Sequence, residues 1–536
     1  MANTFKKVID AQVWRQVNPS PNAHNAAASM ASDLRSTLLR NPFTYNLLSN
    51  SVLNRFNIIT KAWQPMATPG LAGTFGAGST CAFAPSLGLV GTIAAGATTT
   101  SVVISTAFPT AVGVNMLANR GGSGDKGFKL RITDTTAGKV EERWIVGNTA
   151  GTAPTITVDA AFTFTPATGA RYEILAGRLF MLGSGTLAAN AWRSFEVAAN
   201  TLSAGLSITG LPAALTTDSN ILVLDEQYTP HDMAPGEGLV KGSFTYDTGL
   251  SALAATASGA STLTGQATGG DAVVLANEYR NFQIRIVQDT ATPGAVGQRR
   301  IIASHTAGAS PVYTLGTAWT TQPSASAKYV IELPNLMVLR TTANTTTYTW
   351  NYGDATVNNG TNSIAANAWS ATYFGAAPAA NAAGCMWAPS FGIQPDPARN
   401  ARHSFNYFFR GGATVTLDLL DIAGGTTGAW SGAVTYDGNT TAIGVGSTGC
   451  YAPFENEGRM FYVNAYVASA ANQFFRFDVQ NRVLSPYTNT DFIQSGTAAL
   501  GGRMAAYCAI DGTDNYDVVL LQSHLSTVCQ ELVVLV

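Results

Sequence analysis

Four of the five cysteines recur in similar company: Cys81 in TCAFAPS, Cys385 in GCMWAPS, Cys450 in GCYAPFE and Cys508 in YCAIDG. On the first strands of repeated units they would line a common axis, where thiols could hold a metal or a redox centre. Such a centre needs several ligands at fixed geometry, which repetition alone does not supply. A small apolar residue that packs well at equivalent positions explains the pattern more simply. With Cys529 the count is odd and no CxxC occurs, so neither a disulfide framework nor a zinc site is expected. Assembly in a reducing cytoplasm fits that usage.

The remaining candidates for chemistry are scattered. The histidines are His24, His231, His305, His403 and His524, with no HExxH and no pair four residues apart. His231-Asp232 follows Pro230 and reads as a loop pair. Carboxylates cluster at Asp225-Glu226, Asp418/Asp421 and Glu455/Glu457. Two acids can cleave a glycoside only when they oppose one another across the bond. Asp418 and Asp421, three apart on a strand, face opposite sides, and all these acids are read as solvated loop groups. The glycine-rich pieces Gly73–Thr80 and Gly121–Gly127 match neither phosphate-binding pattern and lack the helix that would follow. No GxSxG elbow is present. No catalytic, cofactor-binding or metal-ligating residue is therefore assigned, and a non-enzymatic protein is expected.

Composition sets the frame. Of 536 residues 46% are hydrophobic and only 12% charged, about half of the ~25% typical of soluble domains. Small residues fill the gap, which suits many short strands and tight turns, or a surface that largely meets other protein. A net charge of −2 gives no global field for nucleic acid or membrane. The N-terminal stretch differs: Lys6, Lys7, Arg15, Arg35, Arg40, Arg55 and Lys61 face only Asp10 and Asp33. Such asymmetry marks an arm that docks on an acidic surface. Met1–Arg15 is polar and charged, unlike a signal peptide. Leu87–Leu117 carries no charge, but its glycines, threonines and Pro109 predict a strand pair rather than a membrane span.

Taken in order, 1–50 is expected to be an arm with one helix. Val8–Trp14 could form a helical turn, and NPSPNAH is an extended spacer. Asn25–Arg40 reads as a helix with Ala26, Met30, Leu34 and Leu38 on one face, stopped at Asn41-Pro42. That helix lies either on its own body or on a neighbouring subunit. The body is all-β. Ser447–Tyr487 gives its unit: Cys450–Phe454, Arg459–Tyr466 and Phe474–Val479 each have strand length and strand residues. Related runs centre on Cys81, Ile221–Asp225, Cys385 and Cys508. They predict a β-propeller of about five blades, with five to seven admitted. Arg55–Trp63 and Glu531–Val536, from opposite ends of the chain, are expected to complete one blade and close the ring.

The unit is interrupted twice, by two copies of one sequence. Met116–Ile174 and Val274–Ile331 align over about 50 residues. Phe128 matches Phe282, Arg131 matches Arg285, Arg143 matches Arg300 and Thr149 matches Thr306. Phe162 matches Trp319, Pro166 matches Pro323 and Tyr172 matches Tyr329. His305 falls opposite Asn148, which argues against a shared catalytic role. Two homologous small β domains, 90–175 and 249–332, are thus expected as insertions in a propeller built from 51–89, 176–248 and 333–536.

The strand, polar turn and aromatic in FFRFDVQNRVLSPY and RFNIITKAWQPM resemble kelch-like propeller blades, with the double glycine only at Gly411-Gly412 and Gly501-Gly502. The basic arm MANTFKKVIDAQVWRQVNPSP, the low-charge body and the twin segments FKLRITDTTAG and FQIRIVQDTATPG resemble virion structural proteins of tailed bacteriophages, of the tail nozzle or collar type. That resemblance implies a homo-oligomeric ring in the tail or neck, assembled in the host cytoplasm. Its arm and inserted domains would meet other virion proteins such as a tail adaptor or fibres. It carries over no functional residue. The alternative it leaves open is a carbohydrate- or receptor-binding propeller on the virion surface.

Overall fold

Six sheets, each built on four antiparallel strands and predominantly apolar through its middle strands, make up the body of the protein among its described residues; in one of them Asp437–Gly438 adds a short fifth strand, parallel to Val483–Pro486. The computed structural model describes residues 14–23, 29–34, 43–49, 52–66, 68–71, 79–118, 127–215, 219–228, 243–245, 249–251, 253–265, 275–389, 405–412, 414–438, 443–444, 447–452, 460–465, 473–479, 481–487, 503–511, 514–522 and 527–534.

Blade 1 runs Ser29–Ser32, Phe43–Ser49, Val52–Asn57, Ala62–Pro65. Blade 2 runs Thr80–Ala84, Arg178–Leu182, Trp192–Glu196, Thr201–Leu202, and blade 3 Asn220–Leu224, Leu336–Arg340, Tyr348–Asn351, Ala368–Ser370. Blade 4 is Met386–Pro389, Phe405–Phe409, Thr416–Asp421, Ala429–Thr435, and blade 5 Thr448–Ala452, Met460–Ala465, Gln473–Asp478, Val483–Pro486. Blade 6 takes Arg503–Asp511, Asp514–Gln522 and Cys529–Val534 from the end of the chain and Trp14–Val17 from its beginning. Each innermost strand lies against the innermost strands of both neighbouring blades, so the ring closes as a six-bladed propeller. Closure leaves only short inner edges, protected at the axis.

The seams between blades show why the blade strands are so aromatic. Tyr45 stacks on Phe83 at 6.0 Å between blades 1 and 2. Trp192 meets Trp350 and Trp369 at 5.8 and 5.3 Å between blades 2 and 3. The buried Arg340 lies over Phe408 and Trp430 of blade 4 at 5.2 and 5.4 Å. Phe409 packs on Phe461 and Phe477 of blade 5 at 6.1 and 5.1 Å. Trp14 of the closing strand meets Phe474 edge-on at 5.0 Å. Large flat rings fill the wedge between twisted sheets and gain from edge-to-face contact. The seam between blades 6 and 1 adds polar ties: Lys61 Nζ reaches Glu531 and the Tyr507 hydroxyl, both at 2.8 Å, and Asn46 bonds Gln522.

Between the first and second strands of blade 2, and again of blade 3, the chain builds strands that pair with one another instead of with the propeller. The first set is Leu89–Thr92, Ser101–Val103, Lys129–Asp134, Lys139–Asn148, Thr155–Val158 and Arg171–Leu175. The second is Leu253–Gly259, Thr262–Gly265, Gln283–Gln288, Arg299–His305, Val312–Leu315 and Lys328–Glu332. Both have the same neighbour order, and equivalent side chains make equivalent bonds. Arg143 donates to the Ala161 carbonyl at 3.1 Å and covers the Phe162 ring; Arg300 donates to the Ala318 carbonyl at 2.9 Å and covers Trp319. Asp134 and Asp289 each cap the following turn, accepting from Ala137 and Thr292, and each also binds the N–H of Ala167 or Ser324 at 2.7 Å. The two sets join where Lys139 pairs with Gln288 and the Asp289 N–H donates to the Gly138 carbonyl at 2.9 Å. Gly138 has φ +65°, and a Cβ there would lie 2.3 Å from the Asp289 oxygen, so this junction requires glycine.

Several expectations are corrected. No helical N-terminal arm is found among the described residues: Ser29–Ser32, inside the expected helix Asn25–Arg40, is the innermost strand of blade 1, with Met30 opposite Asn46. Trp14–Val17 is likewise a strand; residues 1–13, 24–28 and 35–42 lie outside the described ones. The only helical elements among the described residues are short turns at Glu226–Tyr228 and Pro293–Ala295. The propeller has six blades, within the five to seven expected, but its closing strand is Trp14–Val17. Arg55–Trp63 belongs to the two outer strands of blade 1. Ser447–Tyr487 carries a fourth strand, Val483–Pro486, beyond the three expected. Leu87–Leu117 does form strands, and no helix among the described residues is long and apolar enough to cross a membrane.

Trp14 is 4% exposed and is the aromatic anchor of the closing strand. Trp14→Ala is expected to lower the unfolding free energy by about 3–5 kcal/mol, read from denaturant midpoints. A loss below about 1 kcal/mol would show that closure does not depend on this contact.

Candidate functional site

The axis of the propeller holds a cavity of about 190 Å³ lined by all six innermost strands. Cys81, Cys385 and Cys450 do line it, with serine hydroxyls from Ser29, Ser79, Ser219 and Ser447. Burial pushes the Cys81 thiol up to about 12, against the opposing effects of a 3.3 Å hydrogen bond to Ser29 Oγ and of Arg503. Such a thiol stays protonated at neutral pH and is a poor nucleophile. Cys385 Sγ accepts a hydrogen bond from Asn381 at 3.0 Å. Cys508 lies on the innermost strand of blade 6, but the cavity is lined by its Arg503–Ala506 end. No three His, Cys, Asp or Glu side chains among the described residues come together as metal ligands would. Cys81, Cys385 and Cys450 are buried at similar places on, or just ahead of, three innermost strands.

The densest chemistry lies elsewhere, at Asp225 and Glu226. Both were expected in solvent; they are 0% and 1% exposed. They follow the innermost strand of blade 3, where the chain leaves for the second set of strands. Asp225 accepts from the Ser86 N–H and hydroxyl at 3.2 and 2.8 Å, from the Tyr352 hydroxyl at 2.7 Å and from the Gln227 N–H at 2.7 Å. Ser86 stands where the chain leaves blade 2, so one carboxylate ties the two departures together. Tyr228 adds a hydrogen bond to the Phe83 carbonyl at 3.1 Å. Burial pushes the Asp225 carboxyl up to about 6, with Glu226 adding to the rise and the donated hydrogen bonds opposing it.

Glu226 points into the junction of the two copies. Its carboxylate meets Arg131 of the first copy at 2.5 Å, and Arg299 and Gln283 of the second at 3.0 and 3.1 Å. Asn335, at the return to blade 3, donates to it at 3.3 Å, and Arg285 stands 3.8 Å away. Burial alone would raise this carboxyl. Arg131, Arg299 and Arg285 outweigh that and hold it well below the usual carboxylate range. Arg131 also binds Glu142 at 2.7 Å, and Arg285 binds Glu332. Burial would lower Arg131, but its surrounding acids hold it above its ordinary value. In Arg285 burial, reinforced by Arg131, prevails over Glu332 and Glu226, so it is held lower. The aligned arginines Arg131 and Arg285 thus converge on one acid. Directly opposite these arginines on the paired strand, the first copy has Glu142 where the second has Arg299. Glu142 thus compensates Arg131 across the strand pair, whereas Arg285 faces Arg299, and Glu226 and Glu332 offset that added cation. Sequence reading missed this hub, although the aligned arginines and the Glu142/Arg299 exchange were its visible signal.

The other flagged residues are structural where they are described. His305 Nε2 accepts the Tyr279 N–H at 2.8 Å, as Asn148 Oδ1 accepts the Leu117 N–H at 2.8 Å in the other copy. Asp418 and Asp421, also expected in solvent, are 0% and 5% exposed in the strand Thr416–Asp421. Arg410 donates twice to Asp418, at 2.9 and 2.6 Å, and the Ala423 N–H donates to Asp421 at 3.0 Å. The reason is the same for both pairs of acids. An acid looks solvated in sequence, yet the fold supplies each with compensating donors that make burial tolerable: Ser86 and Tyr352 for Asp225, Arg410 at the end of the paired strand for Asp418. His24, His231, His403, His524, Glu455 and Glu457 lie outside the described residues, as do most of the two glycine-rich pieces and Gly501-Gly502.

Two predictions follow from this geometry. Removing one partner of a buried ion pair strands the other, at a cost of about 3–5 kcal/mol. Glu226→Ala is therefore expected to lower the unfolding free energy by that amount, and a change below about 1 kcal/mol would deny it the role of hub. Asp225 has a folded-state value near 6, above the ~3.9 of a free aspartate. The folded state therefore binds a proton that the unfolded state does not, and this contribution to stability falls as pH rises through that window. Asp225→Asn lacks it, so its stability relative to the native protein should increase by about 3 kcal/mol between pH 4 and pH 7. Denaturant titrations at each pH measure this, and a difference independent of pH would contradict it.

No family model matches the chain, and no curated protein matches it. Among solved structures it is similar to the computationally designed Ika8 protein, at 10% identity and a TM-score of 0.28, covering 96% of this chain and 99% of that one. It is similar to Saccharomyces cerevisiae Sqt1 at 10% identity and a TM-score of 0.29, covering 98% and 99%. It is similar to the phage phi92 endosialidase at 9% identity and a TM-score of 0.23, covering 98% of this chain and 58% of that one. Likenesses of this size carry no argument about what the protein does.

Proposed function

We propose that the chain is a non-enzymatic structural component of a bacteriophage virion, assembling as a ring in the tail or neck, of nozzle or collar type. The observation that carries this reading is the hub at Glu226, which fixes two equivalent β units on a closed propeller. A rigid body bearing paired modules is what a ring subunit needs in order to contact neighbours on defined faces. In this reading the copies at 90–175 and 249–332 are inserted domains that meet neighbouring subunits and other virion proteins such as fibres. The basic segment ahead of Trp14, with Lys6 and Lys7, docks on a neighbouring subunit or a tail adaptor. The low overall charge serves a surface that is largely covered in the particle. The protein assembles in the host cytoplasm and resides in the virion. The second reading, a carbohydrate- or receptor-binding propeller on the virion surface, is favoured by the cleft described in the next subsection.

Mass photometry and negative-stain microscopy of the purified full chain test the assembly. A closed ring of several copies is expected; a monomer that cleaves glycans would sink the reading. Deleting residues 1–13 spares the closing strand Trp14–Val17. It is expected to abolish the ring while leaving the circular dichroism spectrum and melting temperature unchanged, and a ring that survives would remove the docking role.

A further inference from the structure

Where the two copies meet blade 3, a cleft of about 420 Å³ opens, within the ~300–1,000 Å³ of small-molecule sites. Thr133, Thr135 and Arg171 line it from the first copy, Gln298 and Arg299 from the second, and Asp354 from an exposed turn of blade 3. Asp354 Oδ2 stands 2.9 Å from Arg171 Nη2, and its Oδ1 stands 4.0 Å from Arg299 Nη1. Its side chain is 48% exposed. The turn is pinned beneath it by the fully buried Asn351, which accepts the Gly353 N–H at 3.0 Å and donates to the Ala355 carbonyl at 2.8 Å. On their other sides the two guanidiniums are already positioned: Arg171 by Glu173 at 3.0 Å, Arg299 by Glu226 at 3.0 Å and by Glu173 at 3.9 Å.

The result is a pair of arginines, one from each copy, held rigidly from behind and bridged in front by a carboxylate on a surface turn. A guanidinium presents a planar fork that suits a carboxylate. An exposed pair such as this contributes only about 0–1 kcal/mol to stability, so Asp354 can be displaced at small cost. The space beyond the carboxylate is bordered by Thr133 and Thr135, which carry hydroxyl groups, by Gln298, and by the apolar Val296 and Ala170, a mixed wall of the kind that suits a sugar ring.

We propose that this cleft binds a carboxylate-bearing sugar of the hexuronate class, and that Asp354 is a tethered competitor occupying the carboxylate position. The ligand's carboxylate displaces Asp354 and bridges Arg171 and Arg299, while its hydroxyls face Thr133 and Thr135. This goes beyond the assembly reading and stands apart from it, because ring formation and ligand binding are read by different measurements.

The test uses the full chain and three probes: glucuronate, acetate and inorganic phosphate, followed by calorimetry and saturation-transfer NMR. Asp354→Ala removes the competitor and is expected to bind glucuronate at least tenfold more tightly than the native protein, with acetate weaker. Adding Arg171→Met should abolish that gain, and adding Arg171→Lys, which keeps the charge without the fork, should remove most of it. Melting temperatures within a few degrees of the native protein establish that each variant is folded. The proposal is overturned if Asp354→Ala brings no gain, or if the gain persists without Arg171. It is equally overturned if phosphate binds as tightly as glucuronate, since the cleft would then be a general anion surface.

Discussion

The carboxylate of Glu226 is the constraint that the arrangement of the molecule depends on. A charge with 1% of its surface exposed is unfavourable unless opposite charge and hydrogen bonds surround it. Here the compensation comes from four places at once: Arg131, Arg299 with Gln283, Arg285 at longer range, and Asn335. These partners belong to both copies and to the return into blade 3. None can move independently without leaving part of the cluster uncompensated in a low-dielectric interior. A hydrophobic contact of similar area would tolerate sliding. An ionic hub with directional donors does not, and this is the physical sense in which the two copies have a fixed orientation.

The hub also resolves a difficulty that duplication creates. Two copies of one module present the same residues, so a junction between them risks setting like against like. Arg131 and Arg285, equivalent in the alignment, approach the same point. Glu226, which belongs to neither copy, sits between them, and the Glu142/Arg299 exchange reverses the sign of the position opposite each. Bonds that do not face the junction have not diverged in this way. Arg143 and Arg300 still cover an aromatic ring and bind the carbonyl before it, and Asp134 and Asp289 still cap the same turn. The two copies thus differ at the Glu142/Arg299 position and agree in the bonds that shape each fold.

Legibility in the sequence followed apolar contrast. Blades 4 and 5 were readable because their second strands, FNYFF and MFYVNA, are aromatic and bounded by polar turns. The two copies were readable because their matches keep register. Blade 1 was misread because its innermost strand is SMAS. Small residues are required where six strands crowd an axis, and small residues in a row also fit a helix. The closing strand WRQV carries one anchor, Trp14, and two outward polar residues, so only its partner Cys529–Val534 makes it a strand. Asp225 and Asp418 were misread for a related reason. Their partners Ser86, Tyr352 and Arg410 are brought to them by pairing that local sequence does not contain.

Charge is scarce in this chain, at 12% of residues, and its placement is informative for that reason. Solubility would put scarce charges outside, since an exposed ion costs little desolvation and a buried one costs several kcal/mol before compensation. Instead Arg131, Glu142, Glu226, Arg285 and Glu332 are all buried at one junction. Apolar residues of similar volume could fill the same space with comparable stability. What they could not supply is a single permitted alignment of two similar modules, because apolar faces interlock in several registers while charged forks match in one. Specificity of orientation is therefore the property that the buried charges provide. It is also the property that places Arg171 of one copy beside Arg299 of the other, where the cleft opens.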